Sequence, residues 1–286
     1  MYSYAVPRTH HSPQTRTSHL TPLTHTNTHT HTHTQAMKKC STSGGGPTPG
    51  ALPEGPAALP ALPPQASAPR PNIVQFVIDD MGWSNIGYQN DHAITPQLDA
   101  EANAGIILSR HYGFRWCAPT RSALMTGRMP YHVWQQSDYV SGGMNMLPAK
   151  LGQVGYKTHQ IGKWHQGGLM EWMTPHGRGF DTSFGYLSGA EDHYTHIDDD
   201  FGCSGVDLWE TDAPANRTQW DGVYSSYMYN THIQSIIRDH PVENSDTPLY
   251  MYVAMQDMHA PNEVPQSYSD KYPSSKYVHL TLSCSL

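Results

Sequence analysis

Five polar side chains suited to acid–base or electrostatic chemistry each follow an apolar stretch of this sequence. They are Asp79, Asp80, Lys163, His165 and His259. Paired aspartates suit a hard divalent cation, whereas a lysine and two histidines suit an oxyanion. Taken singly, each has a plainer explanation, because a strand-end aspartate often caps a helix and a lone histidine is more often structural. If the apolar stretches are neighbouring strands, the five residues share one site.

Cys117 has the surroundings of a cysteine that meets an anion. Pro119 favours the first turn of a helix, and Gly127 suits the end of that helix. Cys117 is therefore predicted at a helix N-terminus, where free N–H groups and the macrodipole attract negative charge. Arg121 adds a positive charge close by. A structural thiol would need none of these features, so the pattern indicates a cysteine whose side chain meets an anionic group.

The elements that would position these residues alternate between strand and helix. Strands are predicted at 73–78, 106–113, 158–161 and from 248 to about 259. Helices are predicted at 96–105, at 117–127 and at 229–240, and a further helix is predicted to end near residue 155. This alternation predicts an α/β fold with a mostly parallel sheet and helices on both faces. In such sheets, sites form outside the carboxyl ends of the strands, where the five polar residues fall.

Composition argues against several classes of protein. The chain has 286 residues, with 17 Lys and Arg against 24 Asp and Glu, for a formal net charge of −7. No basic face for nucleic acid or an anionic membrane is expected. No apolar run approaches the length of a membrane span, and no secretory signal is visible. Four cysteines without paired spacing make a disulfide scaffold or a structural zinc site improbable.

The chain divides into three parts by composition. Residues 1–71, a Thr/His repeat followed by a Pro-, Gly- and Ala-rich stretch, are predicted to be disordered, because neither can bury a core. Metal binding by the repeated histidines is an alternative, but an unselected simple repeat explains them more simply. Residues 72–273 carry the ordered domain, and 274–286 form a divergent tail.

Several segments resemble elements of the sulfatase family. Residues 117–128, CAPTRSALMTGR, resemble the sulfatase element C-x-P-(S/T)-R-x-x-x-(L/M)-T-G-R, and residues 155–165, GYKTHQIGKWH, resemble a second shared element. The segments VIDDMGWSNIGY at 77–88, RGFDTSFGYLSGAEDHYTH at 178–196 and MQDMHAP at 255–261 look most like the branch of arylsulfatase B, an N-acetylgalactosamine-4-sulfatase. The resemblance covers roughly residues 72–272. One departure is Arg115-Trp116, where the family usually carries smaller or aliphatic residues. The resemblance implies an alkaline-phosphatase-like α/β fold.

The resemblance also implies a mechanism centred on Cys117. In sulfatases this cysteine is converted to Cα-formylglycine by a formylglycine-generating enzyme, which reads the positions of Pro119 and Arg121 on the unfolded chain. One hydroxyl of the hydrated aldehyde attacks sulfur, the alcohol of the ester leaves, and an enzyme-bound sulfate hemiester forms. The other hydroxyl then loses its proton and expels sulfate, which regenerates the aldehyde. The implied substrate is a sulfated small molecule or glycan.

The other site residues take their implied roles from the same resemblance. Asp79, Asp80 and residue 117 would bind Ca²⁺, which polarises a sulfate oxygen. Arg121 and Lys163 would stabilise the nucleophile and the sulfate charge. His165 would help to eliminate sulfate, and His259 would contact the sulfate and the leaving oxygen.

Some family features are not found in the sequence. The family completes its calcium site with an Asp-Asn pair, usually followed by glycine, and adds a second active-site lysine, and no such pair or lysine is recognised after the segment MHAPNEVPQSYSDKY at 258–272. We therefore expect only the N-terminal part of the catalytic fold, inactive or aggregating when expressed alone. The alternatives are a non-catalytic fragment and a phosphate or phosphonate monoester hydrolase of the same superfamily. The family implies a secretory, lysosomal or extracellular location, weakly supported by a glycosylation sequon at Asn216.

Overall fold

The computed structural model describes Gly55 and residues 70–133, 139–199, 204–240 and 247–272. The tails predicted at 1–71 and 274–286 lie almost wholly outside these described residues. The disorder of the first tail, the metal alternative for its histidines and the domain boundaries therefore stay predictions.

Eight strands and seven α-helices occur in the described residues. The strands are β1 (Ile73–Ile78), β2 (Lys157–Gly162), β3 (Thr182–Gly185), β4 (Ile197–Asp198), β5 (Gly205–Val206), β6 (Trp209–Glu210), β7 (Ala213–Pro214) and β8 (Leu249–Met255). The helices are α1 (Pro96–Ala104), α2 (Cys117–Thr126), α3 (Pro130–Val133), α4 (Leu147–Gln153), α5 (Arg217–Trp220), α6 (Ser225–Asp239) and α7 (Gln266–Ser269). Short 3₁₀ turns lie at Trp83–Asn85, Gly87–Gln89, Glu171–Met173 and His176–Arg178.

The central sheet has the strand order β1-β8-β2-β3-β6-β7. Its first four strands run parallel, and β6 and β7 add an antiparallel edge. All seven residues of β8 are buried, because this strand has a neighbour on each side and helices over each face. The predicted α/β class with a mostly parallel sheet is confirmed.

Each face of the sheet carries its own apolar core. On one face, Met228 and Ile233 of α6 belong to a buried cluster that includes Val253 of β8. On the other face, Met125 of α2 belongs to a cluster that includes Tyr252. Helices therefore cover both faces, as the alternation of elements predicted. No helix in the described part of the chain is long and apolar enough to span a membrane.

The predicted strand at 106–113 is wrong. The structure has no strand there, and Ile106, Ile107 and Leu108 are exposed by 89%, 44% and 63%. The apolar pattern of this segment suits a strand, but a strand forms only where a neighbour takes its backbone hydrogen bonds. No described strand pairs with it. Among the described strands, β1 lies at one end of the sheet, and its partner there is β8.

Candidate active site

The carboxyl ends of three parallel strands meet at one edge of the sheet. Asp79 directly follows β1 and Lys163 directly follows β2, with β8 between the two strands. The N–H of Asp79 donates to Met255 O at 3.0 Å and the N–H of Lys163 donates to Ala254 O at 2.9 Å. The strand ladder thus continues one residue beyond β1 and β2, which fixes the backbones of both charged residues side by side.

A buried ion cluster occupies this edge. The Asp79 carboxylate is paired with Lys163 Nζ through Oδ2, and its Oδ1 lies 3.3 Å from Arg121 Nη2. All three residues are at most 5% exposed. Burial by itself would raise the pKa of Asp79, but the charges of Lys163 and Arg121 outweigh it and hold that pKa well below its usual range. Asp79 is therefore ionised, and two cations surround it.

Helix α2 brings Cys117 and Arg121 to the cluster. The helix begins at Cys117, as predicted, and ends at Gly127, which has a left-handed backbone with φ 67°. Thr120 Oγ1 donates to Trp116 O at 2.7 Å, which holds the chain as it enters the helix. Arg121, one turn on, donates from Nη1 to Lys163 O at 3.2 Å. The helix start is therefore joined to the loop that follows β2.

Cys117 lines a narrow pocket with the predicted acidic and basic groups. The pocket is bounded by Ile78, Asp79, Asp80, Met81, Trp116, Cys117, Thr120 and Arg121. Cys117 is half-buried and is a free thiol. A small anion entering this pocket would meet the first turn of α2 and the Arg121 guanidinium together, so the predicted anion-facing position of Cys117 agrees with its surroundings.

His165 lies on the buried side of the site in a strained conformation. Its φ is +51°, in the left-handed region, and it is 7% exposed. Its ring packs so closely on Gly189 that a Cβ there would lie 2.9 Å from the ring Cε1. Burial lowers the pKa of His165 well below its usual value, and the cations of Lys163 and Arg121 lower it further. The imidazole is therefore neutral at pH 7.

His259 faces the open side of the site. Its Nδ1 lies 2.7 Å from Ala260 O and, as a donor to that carbonyl, leaves Nε2 directed towards Asp80, whose Oδ2 is 4.0 Å away. His259 also borders a wider cleft that includes Glu191, Asp192 and Asp198. The five residues predicted from strand ends thus lie at one edge of the sheet, with Asp79 and Lys163 in contact and His259 at the rim.

Residues that the sequence did not single out complete the surroundings. Tyr252, inside β8, hydrogen-bonds Arg121 Nη1 at 3.2 Å. The hydroxyl of Tyr186 is fully buried and has no hydrogen-bond partner in the described residues. Gln166 is completely buried beside His165. Tyr252 and Tyr186 lie in apolar stretches of the sequence, so only the structure shows that they belong to the surroundings of the site.

A second buried polar cluster lies behind the cleft. Glu191 Oε1 accepts a hydrogen bond from the Tyr229 hydroxyl at 3.0 Å and lies 3.6 Å from His196 Nδ1. Burial raises the pKa of Glu191 to about 7, although His196 and Tyr229 partly oppose the rise. No pattern in the sequence singles out this carboxyl from its neighbours in the segment SGAEDHYTH at 188–196.

Replacing Glu191 with glutamine should make stability less dependent on pH. The folded pKa of about 7 lies above the ordinary value of 4.5, so the protonated carboxyl stabilises the fold below pH 4.5, and that contribution is lost as pH rises through 7. We expect Glu191→Gln to be more stable than the parent at pH 8 by about 1–3 kcal/mol, and nearly equal at pH 5. Urea unfolding at both pH values measures this. Exposed Glu171→Gln is the control, and an equal pH dependence of parent and Glu191→Gln would contradict the prediction.

The described residues do not make a complete calcium site. No group of three His, Cys, Asp or Glu side chains in the described ranges lies close enough together to hold a metal ion. Of the predicted ligands, Asp79 is already paired with two cations, Asp80 is exposed, and Cys117 offers a thiol. Ca²⁺ takes about 6–8 oxygen ligands. The predicted set of Asp79, Asp80 and Cys117 therefore falls short by itself, and the calcium assignment stays a prediction.

This shortage predicts weak calcium binding by the chain. We expect a dissociation constant of about 1 mM or weaker, because two carboxylates, one of them neutralised, cannot replace the hydration shell of the ion. Isothermal titration of the 286-residue chain with CaCl₂ measures the constant. Micromolar binding that disappears in Asp80→Asn, but not in Asp270→Asn, would show that the site is already complete.

The fold and the site together define a class of protein. This is an α/β protein whose sheet carries, at its carboxyl edge, a half-buried cysteine at a helix N-terminus and a buried set of cations. Such a site suits an anionic ester. The family profile for sulfatases matches residues 71–281. The chain belongs to the sulfatase family, as its motifs predicted.

The curated relatives extend well beyond the matched region. Arylsulfatase J of Mus musculus is 37% identical over 221 residues, which are 73% of this chain and 36% of the relative. Arylsulfatase of Klebsiella aerogenes is 28% identical over 224 residues, 72% of this chain and 47% of the relative. The N-acetylgalactosamine-6-sulfatase of Rattus norvegicus is 36% identical over 138 residues, 42% of this chain and 26% of the relative. The chain thus spans less than half the length of each.

Solved structures support the fold. Ps i-CgsB in complex with k-i-k-neocarrahexaose aligns with a TM-score of 0.62 and 21% identity, over 76% of this chain and 52% of that one. The PsFucS1 sulfatase from Pseudoalteromonas sp. aligns with a TM-score of 0.58 and 24% identity, over 74% of this chain and 48% of that one. The predicted alkaline-phosphatase-like architecture agrees with these neighbours.

Proposed function

We propose that the chain acts as a sulfuric ester hydrolase on sulfate monoesters, with residue 117 as the source of the nucleophile. The observation that carries this proposal is the position of Cys117 at the start of α2, in one pocket with Asp79 and Arg121. Two named relatives are arylsulfatases and a third is a sulfatase of a sulfated sugar, which supports the same substrate class. Membership of the arylsulfatase B branch is part of the proposal.

Conversion of Cys117 to formylglycine is the second part of the proposal. When present, this group would supply an aldehyde diol in place of the thiol. Pro119 and Arg121, which the modifying enzyme would read, are both buried in the fold. The chain therefore has to be modified before it folds, by a formylglycine-generating enzyme acting on the extended polypeptide.

The cations of the site would hold the sulfate group. Arg121 and Lys163 are buried and fixed by Asp79, so their positive charges need no rearrangement when an anion enters. The free N–H groups at the start of α2, where Cys117 lies, would add to this attraction for an anion. Asp79 is ionised, because its own pKa is held low, and it is the shared counter-charge of both side chains. These residues would bind and orient the ester.

The two histidines would transfer protons on opposite sides of the site. His165 is neutral and buried, so it can accept a proton from a neighbouring hydroxyl. His259, at the rim, directs Nε2 towards the site and borders the cleft that would take the leaving group. Carboxylates line that cleft, and these suit the hydroxyl groups of a sugar better than further sulfates. A sulfated sugar or other sulfated alcohol is the proposed substrate.

Matched esters test the reaction. The chain, co-expressed with a formylglycine-generating enzyme, is assayed with 4-methylumbelliferyl sulfate and with 4-methylumbelliferyl phosphate, and mass spectrometry follows residue 117. Hydrolysis of the sulfate with formylglycine present supports the proposal and would show that the expectation of an inactive chain is wrong. Preferential hydrolysis of the phosphate would favour the phosphate or phosphonate monoester hydrolase.

A non-catalytic, anion-binding fragment is the second candidate function. The incomplete set of calcium ligands at Asp79 and Asp80 favours it. In that case the purified chain carries formylglycine or intact Cys117, binds sulfate in a thermal-shift titration, and hydrolyses neither ester. Turnover of the sulfate above the rate of a Cys117→Ala chain would exclude this candidate.

A secretory, lysosomal or extracellular route is also proposed. Asn216, in the sequon Asn216-Arg217-Thr218, is exposed just before α5, so an oligosaccharide could be attached there without disturbing the core. A mass decrease on treatment with a peptide N-glycosidase, absent in Asn216→Gln, would support this route.

A further inference from the structure

We propose that Gln166 is a positioning residue that fixes the first turn of α2, and with it residue 117, against the loop that carries Lys163 and His165. The inference concerns the geometry of the proposed site and rests on the proposed function only where turnover is measured. Gln166 is 0% exposed, although a glutamine is rarely buried without a specific set of partners.

The side-chain amide of Gln166 has partners on both segments. Its Nε2 donates to Ala118 O at 2.9 Å and also to the carbonyl of His165. Its Oε1 accepts from Ser122 Oγ at 2.8 Å. Ser122 in turn lies 2.8 Å from Ala118 O, so the network closes within the first turns of α2. The side-chain amide of Gln166 therefore joins Ala118, in the first turn of α2, to His165, in the loop after β2.

The loop on the other side of this amide is tightly held. His165 has φ +51°, a conformation that costs about 1–3 kcal/mol in a non-glycine residue and needs support from its surroundings. The bond from Gln166 to the His165 carbonyl provides such support. The next residue, Gly167, packs so closely that a Cβ there would lie 2.7 Å from Tyr139 Cβ. The loop has little freedom to compensate if the amide is lost.

Only an uncharged amide satisfies all these partners. The carbonyls of Ala118 and His165 require a donor, which Gln166 Nε2 provides. The Ser122 hydroxyl requires an acceptor, which Gln166 Oε1 provides. Leucine keeps the volume but leaves Ala118 O without the Gln166 donor. Glutamate places a carboxylate against two carbonyl oxygens. Each change should let the start of α2 move relative to the loop. The distance from residue 117 to Lys163 would then vary more.

The test compares Gln166→Leu with Gln160→Leu. Gln160 is a matched control, because it is 1% exposed in the preceding strand β2 and its amide bonds only to Gly162 O, at 2.7 Å, among the hydrogen bonds of the described residues. Two readouts are used: kcat and KM for an aryl sulfate, and the rate at which iodoacetamide alkylates Cys117 in chain made without conversion. Mass spectrometry of the peptide that contains Cys117 separates it from the other cysteines.

We expect Gln166→Leu to lower kcat by about 10- to 100-fold with a smaller change in KM, and to speed alkylation of Cys117 by about 3-fold or more, because a loosened helix start exposes the thiol. Gln160→Leu should change neither readout at comparable stability. Ser122→Ala, which removes one bond of the network, should give intermediate values and serves if Gln166→Leu does not fold.

Unchanged alkylation in Gln166→Leu and in Ser122→Ala would overturn the proposal, as would equal acceleration in Gln160→Leu. If the parent chain shows no turnover, the proposed function fails, while the alkylation rates still decide the role of Gln166.

Discussion

Replacing Cys117 with alanine should abolish sulfate ester hydrolysis while leaving the fold intact. The half-buried side chain lies at the pocket wall and makes no hydrogen bond or ion pair recorded in the described structure, so its loss should cost little stability. Removing the atom that provides the nucleophile, in contrast, typically lowers kcat on the order of 10⁴- to 10⁶-fold. Hydrolysis of an aryl sulfate and urea unfolding of both chains measure the two effects.

A matched control lies on the same helix. Thr126 Oγ1 hydrogen-bonds Ser122 O at 2.7 Å in the last turn of α2, away from the pocket. Thr126→Ala should therefore cost a little stability and retain activity. Hydrolysis that survives Cys117→Ala at more than a few per cent of the parent rate would remove residue 117 from the mechanism, whatever its modification state.

Replacing Asp79 with asparagine should produce the largest loss of stability. Lys163 and Arg121, both buried, would lose their shared counter-charge, and breaking a buried ion pair in this way costs about 3–5 kcal/mol. The pKa of Asp79 is lower in the folded than in the unfolded chain. Its contribution to the free energy of unfolding is therefore present above the unfolded pKa and is lost progressively as pH falls below about 4. The difference between Asp79→Asn and the parent should shrink in acid.

Urea unfolding at pH 7 and near pH 3.5 checks both statements. Asp270, an exposed carboxylate hydrogen-bonded to Gln266 at 2.7 Å, provides the control, and Asp270→Asn should cost less than about 0.5 kcal/mol. If Asp79→Asn does not fold, Asp79→Asn combined with Lys163→Met should recover part of the loss, because one unpaired charge is removed. A single-variant cost below about 1 kcal/mol at pH 7 would show that the cluster is solvated and does not fix its cations.

The convergence of the site could be predicted because it depends on a regular property of parallel sheets. Asp79, Lys163 and His259 are far apart in sequence, yet each follows a strand, and strands that run parallel bring their carboxyl ends to one edge. The start of α2 at Cys117 was equally predictable, since proline and glycine mark its two ends. Family membership followed from motifs that the same residues form.

Other parts of the site could not be predicted from local patterns. Tyr252 alternates with apolar residues in a fully buried strand, and only the sheet's geometry shows that its hydroxyl reaches Arg121. Gln166 follows the motif GKWH directly, but its partners lie 44 and 48 positions earlier in the chain. The strand expected at 106–113 failed for a related reason, because strand formation depends on a neighbour that local sequence does not reveal.

The position of β8 between β1 and β2 has a consequence for the order in which the site can form. Both β1 and β2 come earlier in the sequence, and each is hydrogen-bonded to β8. Asp79 and Lys163 therefore come into register only when residues 249–255 have joined the sheet, and closing such a long stretch of chain is a slow, non-local step. The buried charges would then be among the last groups to pair during folding.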